Sequence, residues 1–142
     1  QGRTALLDAI HAALVVGEAD AGRPLVLVFS DGVDTASWLT PAELLRTTRR
    51  SDAVICGVTA RGAAVLLRDL SRATGGTVVD AAATTDLQAA FRSMLNEFRH
   101  RYLVSYTPTG VTSTGWHTIA VQVKVPGRVH IEARPGYLGE GR

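Results

Sequence analysis

With 142 residues, 46% of them hydrophobic and 20% charged, the chain suits one globular domain that buries enough apolar surface to fold without staples. Its single cysteine, Cys56, excludes an internal disulfide framework and a four-cysteine zinc site. The formal charge is +2, all 15 basic residues but Lys124 are arginine, and neither a basic stripe with interleaved aromatics nor an apolar run of about 20 residues occurs, which argues against a nucleic-acid interface and a membrane span.

The chain opens directly in a helical pattern. Leu6, Leu7, Ile10, Ala13 and Leu14 share one face and predict a helix over 4–16. "LVLVF" (25–29) is a continuous apolar run, the pattern of a strand covered on both faces, as in a parallel sheet. In "TPAELLRTTRR", Thr40 fits an N-cap, Pro41 the first helical position and Glu43 the third, which closes a capping box on a helix over 41–50. "AVICGV" (53–58) reads as a second buried strand, with Cys56 as a small buried hydrophobe. A helix over 62–73 turns Ala63, Leu66, Leu67 and Leu70 inward, and Gly75 or Gly76 takes the left-handed cap. "TVVD" (77–80) is a short third strand. Thr85 and Gln88 form a second capping box, followed by an apolar stripe of Leu87, Ala90, Phe91, Met94, Leu95, Phe98 and Tyr102.

After Tyr102 the rhythm changes. "YLVSYTP" is strand-like, residues 117–125 alternate with Ile119, Val121 and Val123 on one side, and Val129, Ile131 and Ala133 resume the alternation after Pro126-Gly127. This predicts a hairpin with one wet face and a slightly long or bulged turn. The fold class is therefore α/β: a Rossmann-like doubly wound parallel sheet over 1–101, with a small antiparallel β addition over 102–142.

In open α/β sheets ligands collect beyond the carboxyl ends of the parallel strands. Asp31 lies just past the strand at 25–29, Gly32 permits a tight turn, and Asp34, Thr35 and Ser37 follow as further oxygen donors. Such hard oxygen chemistry favours magnesium, calcium or manganese over zinc or copper. The plain alternative is that Asp31 caps a turn through its own side chain.

"GRTALLDAI" followed by "RPLVLVFSDGVDT" resembles the von Willebrand factor type A domain. "LRDLSRATGGTVVD", "LQAAFRSMLNEFRHRYLVSYTPT" and "VQVKVPGRVHIEARPGYL" are similar to an acidobacterial-type subgroup of von Willebrand A-related proteins. The resemblance spans essentially the whole chain and rests on the order and spacing of modest motifs. It implies a metal-ion-dependent adhesion site in which Thr4 and Asp31 are ligands, with Asp34 and Ser37 at its rim. It also implies that the family's Asp-x-Ser-x-Ser ligands and central strand would precede Gln1, since that motif does not occur in the sequence. A divalent cation would then be held weakly here, and the exposed edge of strand 25–29 would invite self-association. The function implied is a protein-binding, adhesion-type or scaffold module that engages an acidic side chain of a partner, in an extracellular or envelope setting.

Two other functions are weighed beside it. A metal-independent structural module would use Tyr106, Trp116 and Tyr137 as its contact surface. A phosphate-handling hydrolase built on Asp31 is disfavoured: Val33 stands where a second aspartate is required, no phosphate loop occurs, and His11, His100, His117 and His130 lack metal spacing.

Overall fold

The computed structural model describes residues 2–19, 22–59, 65–81, 83 and 86–139. Four helices and three parallel strands alternate: α1 (Leu6–Glu18), β1 (Leu25–Ser30), α2 (Pro41–Arg50), β2 (Val54–Thr59), α3 (Val65–Thr74), β3 (Val78–Asp80) and α4 (Leu87–Arg99). A short antiparallel pair, β4 (Gly115–Thr118) and β5 (Gly136–Gly139), follows. The protein is thus mixed α/β, with a parallel sheet of order β1-β2-β3 flanked by helices.

Each strand of the sheet divides its side chains between two cores. Val26 and Val28 of β1 and Ile55 of β2 pack with Leu7, Ile10 and Leu14 of α1, Leu44 of α2, and Leu67 and Leu70 of α3. Val54, Cys56 and Val58 point the other way, to Met94 of α4, with Leu25, Leu27, Phe91 and Phe98 around them. Every residue of β2 is buried, which is why its run shows no polar alternation. Leu14, Leu44, Ile55 and Leu70 are fully buried, and each contributes about 1.5–3 kcal/mol of transfer free energy.

β3 pairs only with Gly57–Thr59 of β2, and the end of α3 runs beside the strand at Ile55. The Ile55 amide donates to Thr74 Oγ1 at 3.0 Å, and Thr74 lies fully within the core. Gly76 runs so close to β2 that a Cβ there would lie 1.9 Å from the Ile55 carbonyl oxygen. Gly75, not Gly76, adopts the left-handed conformation that ends α3 (φ +71°), as one of the two predicted options.

The predicted capping box of α2 is present: Glu43 N–H donates to Thr40 Oγ1, and the Thr40 amide donates back to Glu43 Oε2 at 2.8 Å. The expected box at α4 begins with Thr85, outside the described residues; the N-cap in the structure is Asp86, which accepts from the Ala89 amide at 2.9 Å. Ala63 and the first turn of the helix expected at 62–73 also lie outside the described residues. The α4 stripe is only partly core. Met94 is buried, whereas Leu87 and Leu95 are more than 40% exposed and Tyr102 lies beyond the helix end.

The tail corrects the sequence reading most. Tyr102–Thr109 forms no strand, and the ladder sits at the base of the hairpin, pairing Gly115 with Gly139 and Thr118 with Gly136, instead of along 119–125 and 129–133. The Ile119 amide still donates to the Pro135 carbonyl, so the register does lead to a reversal at Pro126-Gly127, where Gly127 has φ +100°. The base is anchored: Arg134 donates to the Arg49 carbonyl at 2.8 Å and to Asp52 at 3.3 Å. Val121, Val123, Val125 and Val129 in the arms remain about half exposed. A two-stranded ribbon without a second layer is marginal in water, so pairing persists where the α/β unit supports it.

Candidate functional site

The segment 31–40 leaves β1 at the carboxyl end of the sheet and folds back over the start of α1. That helix has no cap of its own: its N-cap is Ala5, without a side-chain acceptor. Its first amides are instead met from a distance. Asp34 Oδ1 accepts from Leu6 at 2.7 Å and from Leu7 at 3.3 Å, and Ser37 Oγ accepts from Leu7 at 3.0 Å and Asp8 at 3.2 Å. Ser37 donates its hydroxyl proton to Asp34 Oδ1 at 2.6 Å. That bond is the largest cause holding the Asp34 carboxyl below its ordinary range; the Leu7, Leu6 and Ser37 amides add to it, against partial loss of solvent. The helix dipole favours an anion at this position as well.

The clamp is reciprocal. Asp8, in the first turn of α1, accepts from the amides of Trp38 at 2.9 Å and Leu39 at 3.1 Å. Thr4 completes it through its backbone: its amide donates to Thr35 Oγ1 at 2.8 Å, and its carbonyl accepts from Thr35 at 2.8 Å and Ala36 at 3.0 Å.

Of the four residues singled out in the sequence, Asp34 and Ser37 are therefore brought together as a cap for α1. Thr4 is fixed against the same segment. Asp31 is exposed at its beginning, and its Oδ1 accepts from the Val33 amide at 3.1 Å, the turn geometry named as the plain alternative. Asp8 was not singled out; an acid in the first turn of a helix is a signal for it, but its target amides lie 30 and 31 residues away.

The strand register adds residues that the sequence did not expose. Ser30 pairs with Thr59 and Thr59 with Asp80, so three oxygen-bearing side chains end neighbouring strands at one level. Thr59 is fully buried, and its hydroxyl has no hydrogen-bond partner among the described residues. The donors at this end are all hard oxygens, which fits magnesium, manganese or calcium in kind. Among the described residues no group of three or more His, Cys, Asp or Glu side chains is placed to hold an ion.

No family model and no curated protein sequence matches this chain. Among the described residues, no helix is long and apolar enough to cross a membrane.

Proposed function

We propose that the chain is part of a von Willebrand A-like, Rossmann-type module that binds a protein partner at the carboxyl end of its parallel sheet, with Asp31 and Thr4 contributing oxygens to a divalent cation. The observation that supports this reading most is the backbone bonding of Thr4 to Thr35 and Ala36, which keeps Thr4 beside the segment that Asp31 begins. Asp34 and Ser37 act from behind, by holding that segment on α1, instead of touching the partner. A cation here would offer an open coordination position to a partner's carboxylate; Asp31, exposed and with one oxygen in the turn, would orient toward it. Catalysis forms no part of this reading.

The test is calorimetric titration of the full-length protein with a glutamate-containing peptide in the presence of manganese. Saturable binding that disappears with EDTA and in Asp31→Ala is the expected result. Binding that EDTA leaves unchanged would remove the cation from the account, and binding unaffected by Asp31→Ala would remove the site.

A further inference from the structure

At the opposite side of the molecule, a cleft of about 680 Å³ opens between the end of α2 and the β4–β5 ladder. That volume suits a small ligand. Arg49, Arg50 and Arg134 line it, and Asp52 is the one acid among the described lining residues. We propose that this cleft is an oxyanion-binding site, taking the phosphate or carboxylate groups of a small molecule on the guanidinium groups of Arg49, Arg50 and Arg134. It is separate from the carboxyl end of the sheet and does not depend on the function proposed above.

Arg134 and Arg49 are held in place. Arg134 donates from Nε to the Gly136 carbonyl at 3.1 Å, from Nη1 to Asp52 at 3.3 Å and from Nη2 to the Arg49 carbonyl at 2.8 Å. A guanidinium carries five N–H donors, so two of its donors remain after these bonds. The Arg49 guanidinium sits over the Trp116 ring, 5.2 Å from its centroid. Side chains already fixed lose little rotamer freedom on binding, and planar forks match oxyanion geometry.

Asp52 pairs with Arg134, and its backbone carbonyl accepts from Arg23 Nε at 2.7 Å. Burial lowers the pKa of Arg23, and the nearby charges of Arg134 and Arg101 lower it further, outweighing Asp52.

The experiment titrates the full chain with inorganic phosphate and, separately, with citrate, against a chloride reference of equal ionic strength. Calorimetry gives the Kd, and amide shifts of 111–113 and 137–139 locate the site. The expected result is saturable binding that weakens by about tenfold or more in the Arg49→Gln/Arg50→Gln variant, the loss expected for charge-assisted hydrogen bonds. The Arg68→Gln/Arg72→Gln variant, altered in the cleft beside α3, leaves it unchanged. Tighter phosphate binding identifies a phosphate ligand, and tighter citrate binding a polycarboxylate. Should the double variant fail to fold, Arg50→Gln alone is read by the same criterion. Shifts that do not saturate, or binding that survives loss of these arginines, would overturn the proposal.

Discussion

Asp34 and Ser37 give the start of α1 the acceptors that its own N-cap lacks, and the consequence can be measured. Ser37→Ala removes the acceptor for the Leu7 and Asp8 amides and the donor to Asp34, so it should lower stability by about 1 kcal/mol, the usual cost of a lost N-cap, read as a shift in urea midpoint. Asp34→Asn tests the charge. The folded-state pKa of Asp34 is depressed, so its stabilisation is present above the unfolded value of about 3.9 and is lost as pH falls through the lower folded value. The difference in urea midpoint between wild type and Asp34→Asn should therefore be widest near neutral pH and close toward pH 2. A gap that stays constant across that range would show that the carboxylate's charge contributes nothing to the cap.

Among the elements, β2 depends on a side chain where a strand is missing. Thr74 Oγ1 accepts from the Ile55 amide and donates within the end of α3, to the Leu70 or Ser71 carbonyl. Thr74→Val keeps the shape but leaves a buried amide without an acceptor, which should cost about 2 kcal/mol and speed exchange of the Ile55 amide. This device was not legible in the sequence, because nothing in "RATGG" announces that its threonine faces a strand 19 residues earlier. What was legible has local causes. The Thr40–Glu43 box lies within one turn, and the apolar run of β2 reports burial on both faces directly, whereas in β1 only Val26 and Val28 are buried and Phe29 is exposed. The tail was misplaced for the converse reason. Alternation at 117–125 states which residues could share a face, but not whether a second layer exists to cover it. With none there, the ladder holds only where Arg134 ties it to α2 and Asp52. The candidate site divides the same way. Asp31 was legible as the residue leaving a buried strand, while the capping role of Asp34 was not, since its amide partners lie 27 and 28 residues away.

For the molecule as a whole, the strand order leaves β1 at an edge of the sheet. The Val54 amide donates to the Pro24 carbonyl, and in a parallel ladder alternate residues bond to the same neighbour. Val26 and Val28 therefore face β2 with their backbone groups, and those of Leu25, Leu27 and Phe29 turn outward, with no strand beyond them among the described residues. An unpaired apolar edge of this kind is a template for pairing. Phe29 sits on it, 53% exposed, with its ring stacked on Phe91 at 4.6 Å. The expected behaviour is concentration-dependent association, seen by sedimentation velocity, in which the Leu27 and Phe29 amides exchange rapidly in dilute solution and gain protection as the protein is concentrated, while Val26 and Val28 stay protected throughout. Phe29→Lys places a charge on the edge and should keep the chain monomeric at the same concentrations, at a stability cost of about 1 kcal/mol from the lost ring pair. A wild-type chain that remains monomeric while Leu27 and Phe29 exchange quickly at every concentration would show that this edge is guarded by its own twist and charge, and the association account would be withdrawn.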